Sequence, residues 1–309
     1  MRDVDSLFDF SIDDEIADPA HFDSAYIAIA DSEDCRDDRE YLDRAWRVHK
    51  RHADLDFVDQ FRRDRYFQSR AWELRIAWTL HDLGHSFDGP KPGPDFAIRL
   101  EDANVYVEAI APQATPELLQ NYDAARSFGT AVPNDAIILR FTSAIAAKRA
   151  QHAMHVAKGI VQKSDTFVIA LSGANIPQSS VSSKPFPRIL HPLFGIGHAF
   201  LSFSVDGRGE ESFGVSRLIE RRTDAGGLVP AAIFLDDGCR DLSAVIFSAA
   251  HILNRPEAAG RPPGDDFVVV HNPNADSPLP VGMIPRGQEW GVRDGRLELL
   301  RDWRQREAA

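Results

Sequence analysis

The sequence predicts an α/β protein in which helices flank a mixed central sheet. Residues 37–84 have helical periodicity, residues 96–110 have the pattern of a β-hairpin, and residues 167–171 form the continuous apolar run typical of a buried strand. The 309-residue chain is 43% hydrophobic and 27% charged, which is ordinary for a soluble globular protein. Length alone allows either one large core or two smaller ones.

The predicted helical region is followed along the chain by the predicted hairpin. Gly84 is placed to end the last helix of residues 37–84, because glycine readily adopts the left-handed conformation that closes helices. Two alternating segments, 96–100 and 105–110, then flank the turn-like residues 101–104. We therefore expect two antiparallel strands directly after the helices.

A second helical segment follows the hairpin. Residues 112–133 read as a connection, with a short helix expected near residues 117–127. Thr142-Ser143 are good N-cap candidates for a helix that runs to about Lys158, and Gly159 would end it.

The second half of the chain carries weaker signals. A stretch rich in proline and serine, residues 176–192, separates it from the first half. Strands are expected at residues 231–235 and 267–270, and a helix or a strand at residues 242–253.

These signals divide the chain into three parts. Residues 1–38 are expected to form an acidic irregular segment, apart from the apolar run 25–30. Residues 39–175 would form the α/β core. Residues 176–309 would be a C-terminal α/β extension, which we expect to pack on the same core.

Charge is concentrated at the N-terminus. Residues 1–43 contain fifteen Asp or Glu and three Arg, a net of −12 that equals the net charge of the whole chain. The remainder is neutral overall, so an acidic total does not argue against a locally basic groove. Two interpretations stay open: a solvated, partly disordered segment, or an arm that mimics phosphate and covers a basic site.

Composition also narrows the setting. Cys35 and Cys239 have no paired spacing, which excludes a structural zinc site built on cysteines. No apolar run approaches the roughly 18 residues of a membrane span, and no secretory signal is visible. We therefore expect a cytoplasmic protein that does not enter membranes.

Three acidic residues stand at informative places. Glu73 lies on the apolar face of a predicted helix, Asp95 follows Gly93-Pro94, and Glu108 ends an alternating strand. Two strand carboxylates with a third from a helix are a common way to hold Mg²⁺ or Mn²⁺. Simpler interpretations stay open for each: an ion pair for Glu73, local capping for Asp95 and a solvent-facing side chain for Glu108.

The order of these residues resembles the PD-(D/E)xK nuclease superfamily, read as Pro94-Asp95 followed by Glu108-Ala109-Ile110. The resemblance implies a restriction-endonuclease-like core in which Asp95 and Glu108 hold the metal and Glu73 assists. Ile110 stands where the family has a catalytic lysine. Lys148 is the best substitute and Lys91 the second, both of them also candidates for contact with nucleic acid.

The resemblance extends to about residues 60–280, through a bacterial group of PD-(D/E)xK-like proteins that share Trp-Glu-Leu, Gly-Pro-Asp-Phe and Val-Glu-Ala-x-Ala-Pro. It implies a nuclease that binds nucleic acid, with DNA placed before RNA. Arg140 is a further candidate for phosphate contact, and Gln113 for a polar contribution. A homo-oligomer is left open.

Three competing hypotheses concern the same chain. The first is an inactive nuclease fold that binds nucleic acid or protein, suggested by Ile110. The second is a phosphohydrolase of the HD type, suggested by His81-Asp82 with His49 or His52 upstream. The third is a transition-metal site on His152 and His155, which lie three residues apart on one predicted helix.

Overall fold

The structure is a computed structural model, and it describes residues 5–8, 21–89, 92–101, 103–128, 132–180, 186–203, 209–215, 217–220 and 227–305. Seven α-helices are present in these residues: α1 (Ser24–Asp31), α2 (Arg36–His49), α3 (Phe57–Phe61), α4 (Phe67–Asp82), α5 (Pro116–Phe128), α6 (Asn134–Ala157) and α7 (Leu190–Phe194). None of the described helices combines the length and apolar character needed to cross a bilayer.

Twelve strands are present in the same residues. They are β1 (Phe87–Asp88), β2 (Phe96–Arg99), β3 (Asn104–Ile110), β4 (Thr166–Ser172), β5 (Ile196–Phe203), β6 (Gly209–Val215), β7 (Leu218–Glu220), β8 (Leu228–Pro230), β9 (Ala244–Ser248), β10 (Val268–His271), β11 (Gln288–Arg293) and β12 (Arg296–Asp302). Short 3₁₀ turns connect several of them.

Eight of these strands form one mixed sheet in the order β1-β2-β3-β4-β9-β10-β11-β12. β1, β2 and β3 are antiparallel neighbours, while β3, β4 and β9 run parallel. Strands from both halves of the chain therefore belong to the same sheet, since β9 pairs directly with β4. The strand pairs β5-β6 and β7-β8 form two small separate sheets.

Helices cover both faces of the large sheet. Trp72, Ile76 and Leu80 of α4 pack on one face with alternate residues of β2 and β3. Phe141 and Ile145 of α6 pack on the other face, against β4 and β9. Helices α1, α2 and α3 lie outside α4 and bury a third apolar cluster with it. The predicted class, an α/β protein with a mixed sheet flanked by helices, is confirmed.

Local signals located several elements correctly. Strands β2 and β3 form the predicted hairpin, and all seven residues of β4 are buried. Gly84 and Gly159 adopt positive φ angles of 77° and 69° just beyond α4 and α6, as expected for glycines that end helices.

Three expectations were wrong. The segment expected to be irregular outside residues 25–30 contains a 3₁₀ turn over Glu33–Cys35 and the start of α2. Helix α6 begins at Asn134, so Thr142 lies inside it, where its hydroxyl donates to the carbonyl of Ile138 at 2.9 Å. The apolar run 231–235 forms a 3₁₀ turn over Ile233–Leu235, because this short run packs against α7 instead of pairing in the sheet.

Candidate functional site

Asp95 and Glu108 meet at the start of β2 and the end of β3. Phe96 pairs with Val107, so the register places Asp95 one step further on, opposite Glu108. The Oδ2 atom of Asp95 accepts a hydrogen bond from the amide of Ala109 at 2.7 Å. Because side chains alternate along a strand, Glu108 points away from the α4 face that Val107 occupies. Its side chain is fully buried, which excludes a solvent-facing role.

Lys148 of α6 reaches both carboxylates. Its Nζ lies 2.7 Å from Glu108 Oε2 and 3.6 Å from Asp95 Oδ2. The neighbouring positions Ala144 and Ile145 are buried against the sheet, and they direct this helix face and the lysine stem towards β3. The side chains of Lys148 and Asp95 keep 14% and 23% of their surface exposed, so solvent reaches the group from their side.

Glu73 of α4 approaches the same group but is held by a different partner. Arg70 Nη1 donates to both of its oxygens, at 2.9 and 2.8 Å. His49 Nε2 lies 4.0 Å from Glu73 Oε2. The ion pair that the sequence left open for Glu73 is therefore formed, with Arg70. The charges of Asp95 and Lys148 still affect its titration.

The electrostatics of the group reflect an excess of negative charge. Burial raises the pKa of Glu108 to about 7, and the Asp95 carboxylate adds to this shift, although the Lys148 ammonium opposes it. Burial and Asp95 likewise raise the pKa of Glu73 to about 8, although Arg70 opposes the shift. Burial lowers the pKa of Lys148, but the three carboxylates outweigh it and the net shift is upward. With three carboxylates against Lys148 and Arg70, this buried group favours an additional cation or proton.

The sequence offered His155 only as a partner of His152, and the structure places it beside Glu108 instead. Its Nδ1 lies 3.4 Å from Glu108 Oε1, and both atoms are buried without a hydrogen-bond partner. His155 follows Lys148 by seven residues, which is two helical turns, so both side chains lie on one face of α6. That spacing was the available signal. It was overlooked because His155 was paired with its neighbour His152 instead.

Of the three predicted nucleic-acid contacts, Lys148 lies in this cluster, Arg140 lies outside it, and Lys91 lies outside the described residues. Arg140 Nε donates to the carbonyl of Gln113 at 2.6 Å, and burial lowers the pKa of its guanidinium. The side-chain amide of Gln113 donates to the carbonyl of Arg65 at 2.9 Å. Both side chains thus help to fix the segment after β3.

The side chains of this group are of the kinds that bind a divalent cation, but they are not arranged as a complete set of ligands. Asp95 and Glu108 supply oxygen ligands from one spot, and Glu108 Oε1 is a buried acceptor without a donor. In the part of the chain that the structure describes, no three carboxylate, imidazole or thiolate side chains already converge as a ligand set. The Lys148 ammonium lies against both carboxylates instead. Asp95 and Glu108 are the residues that would hold Mg²⁺ or Mn²⁺, with Glu73 behind them.

The competing histidine sites have separate surroundings. Asp82 is exposed and pairs with Arg286 at 2.8 Å, and the neighbouring His81 is exposed as well. His52 Nδ1 lies 3.3 Å from Asp88 Oδ1. The ring of His152 stacks on Phe167, with 3.8 Å between centroids. Asp82 and His52, two of the possible ligands of an HD-type site, thus contact Arg286 and Asp88 and not each other. His152 packs on Phe167, whereas His155 lies beside Glu108.

No protein family, curated protein or solved structure matches this chain.

Proposed function

We propose that the protein is a divalent-metal-dependent nuclease that hydrolyses phosphodiester bonds in nucleic acid, with DNA the first substrate to test. The observation that carries this proposal is the meeting of Asp95, Glu108 and Lys148, with the ammonium 2.7 Å from one carboxylate and 3.6 Å from the other. Two carboxylates beside a lysine are the groups that metal-assisted phosphoryl chemistry requires.

The order of elements supports a PD-(D/E)xK-like core. Helix α4 precedes the antiparallel strands β1, β2 and β3, and α6 then leads to β4, which lies parallel to β3. This order agrees with the core that the sequence resemblance implies. The carboxylates come from the expected strands, while the lysine comes from α6 because Ile110 occupies its usual strand position.

Each side chain has a role in this proposal. Asp95 and Glu108 would hold Mg²⁺ or Mn²⁺, which when bound supplies polarisation of the phosphate and a lower pKa of the attacking water. Lys148, whose pKa is raised, stays protonated and would neutralise charge that develops on the phosphate oxygens. Glu73, held by Arg70, would assist as an outer ligand behind the metal.

Cleavage assays with matched variants test the proposal. Plasmid, linear and single-stranded DNA and RNA are incubated with the protein in Mg²⁺ or Mn²⁺. We expect Asp95→Ala, Glu108→Ala and Lys148→Ala each to lower the cleavage rate at least about 100-fold, as loss of a group that stabilises transition-state charge does. The exposed residues Glu117 and Lys163 provide the controls Glu117→Ala and Lys163→Ala, which should leave the rate unchanged.

Two results would contradict the nuclease proposal. Cleavage that survives the loss of both carboxylates would place the activity in another site or another protein. Phosphohydrolase activity on nucleotides that is lost in Asp82→Ala and kept in Glu108→Ala would favour the HD-type hypothesis.

A second candidate function is binding without cleavage. It is favoured by the Lys148 ammonium, which lies against both carboxylates where a cation would otherwise bind. In that case DNA or RNA would bind in a mobility-shift assay, and no cleavage would appear with either metal. Binding would then be insensitive to Glu108→Ala, whereas a nuclease would lose its metal-dependent activity.

A further inference from the structure

We infer that the site binds a divalent transition metal in preference to Mg²⁺, through His155 Nδ1 and Glu108 Oε1. This inference rests on the proposed function, because it specifies the cation of the same site. It assigns His155 a direct role that the motif Asp95, Glu108 and Lys148 does not include.

Two unsatisfied atoms face each other in the interior. Glu108 Oε1 and His155 Nδ1 are both buried without a hydrogen-bond partner, and they lie 3.4 Å apart. A buried polar atom without a partner is unfavourable, and a bound ion is one way in which such an atom is satisfied. Both can act as ligands, since a carboxylate oxygen and an imidazole nitrogen each bind divalent transition metals.

The separation of the two atoms suits one shared metal ion. Ligands about 2.1 Å from an ion are about 3.4 Å apart at a tetrahedral angle and about 3.0 Å apart at an octahedral right angle. The measured 3.4 Å lies at the tetrahedral value. A metal could therefore enter between β3 and α6 with little movement of either backbone, and Asp95 and water would supply its other ligands.

Lys148 does not prevent this arrangement. It donates to Glu108 Oε2, so the two oxygens of one carboxylate have separate functions, Oε2 for the lysine and Oε1 for the ion. Both Lys148 and His155 project from the same face of α6, which fixes their spacing along the carboxylate.

Ligand chemistry then selects the metal. Imidazole nitrogen suits divalent transition metals, whereas Mg²⁺ strongly prefers an octahedron of oxygens. A nitrogen ligand should therefore strengthen the binding of Mn²⁺ and Zn²⁺ and contribute little to the binding of Mg²⁺.

Electron spin-echo spectroscopy of the full chain loaded with Mn²⁺ tests the inference directly. We expect modulation from a coordinated ¹⁴N nucleus in the wild type, its loss in His155→Gln, and its retention in His81→Gln, which changes an exposed histidine. Titrations should show that His155→Gln weakens Mn²⁺ and Zn²⁺ binding at least about tenfold and leaves Mg²⁺ binding nearly unchanged. If His155→Gln does not fold, ¹⁵N-histidine labelling of the wild type must change the modulation.

The outcomes separate this inference from the proposed function. Mn²⁺ bound without nitrogen modulation, or modulation that persists in folded His155→Gln, overturns the inference while DNA cleavage can still stand. A wild type that binds neither Mn²⁺ nor Zn²⁺ overturns it as well. DNA left intact in Mg²⁺ and in Mn²⁺ overturns the nuclease proposal, whatever the spectra show.

Discussion

Glu108 and Glu289 are two buried glutamates on strands of one sheet, and their oxygens are satisfied to different degrees. Glu289 Oε1 accepts from His271 Nε2 and from the amide of Gly282, both at 2.8 Å, and its Oε2 accepts from the Trp303 indole at 3.3 Å. Glu108 Oε2 accepts from Lys148, whereas Oε1 has no donor.

The two carboxyl groups consequently titrate in opposite directions. Burial raises the pKa of Glu289, but its bonds to His271, Gly282 and Trp303 outweigh burial, and the net shift is downward. Burial and Asp95 raise the pKa of Glu108 to about 7 in spite of Lys148. A carboxylate with complete hydrogen bonding stabilises the fold, while one with a vacant oxygen has capacity left for a ligand.

The largest expected effect separates the two glutamates by function. Glu108→Gln should lower nucleic-acid cleavage by about 100-fold or more, because it removes the charge that holds a metal. Glu289→Gln should leave cleavage intact and lower the free energy of unfolding by about 1–3 kcal/mol, because it weakens three hydrogen bonds. Plasmid cleavage and urea denaturation measure the two effects. Cleavage lost in Glu289→Gln and retained in Glu108→Gln would break the comparison.

Removal of the lysine should reveal how strongly Glu108 depends on its single cation. Lys148→Met leaves a buried carboxylate without its partner, so we expect the free energy of unfolding to fall by about 3 kcal/mol at pH 8. At pH 6 the loss should be smaller, because Glu108 can then take up a proton. Lys163→Met changes an exposed lysine and should remain within about 0.5 kcal/mol of the wild type. An equal loss at both pH values would show that the pair does not depend on the charge of Glu108.

The third prediction concerns the pH dependence of stability. Glu108 and Glu73 have pKa values of about 7 and about 8 in the folded protein, above the ordinary value of 4.5. The folded state therefore binds more protons than the unfolded state between these values, and the free energy of unfolding of the metal-free protein should fall as pH rises from 5 to 8. Their contribution is complete below 4.5 and lost above 8.

Variants of the two glutamates sharpen this test. Glu108→Gln should make the decline in stability shallower, whereas Glu289→Gln should preserve it, since the lowered pKa of Glu289 acts only at acidic pH. Denaturation curves at half-unit pH intervals, recorded with a chelator, measure the slopes. A wild-type protein whose stability rises from pH 6 to 8 would contradict the assigned shifts.

Elements with strong local signals were predictable. Alternating residues and a turn located the hairpin of β2 and β3, and an unbroken apolar run located β4. The start of α6 was missed because Thr142-Ser143 have the chemistry of a helix N-cap, whereas the helix begins at Asn134 and buries Ile137 and Ile138. The strand expected at residues 231–235 was also wrong, because a short apolar segment has no distinct period that separates a strand from a turn.

The sequence could predict which residues form the candidate site, but it was less informative about which side chains pair with one another. Helical spacing placed Lys148 on the buried face of α6, and the structure brings it to Asp95 and Glu108. The choice of Arg70 as the partner of Glu73 depended on side-chain geometry, because several arginines lie within reach along the sequence. His155 lies two turns after Lys148 on the same helix face, so the same spacing could have placed it near Glu108.

The bond between Asp95 and Ala109 has a consequence for how this protein can vary. The donor is a main-chain amide, which every residue except proline supplies, so the side chain at position 109 is free to change within the space available. The lengths of strands β2 and β3 between residues 95 and 108 have no such freedom. One inserted residue would shift the hairpin register and turn Glu108 to the opposite face of the sheet. Drift at position 109 should therefore be tolerated, while insertions and deletions in this hairpin should not.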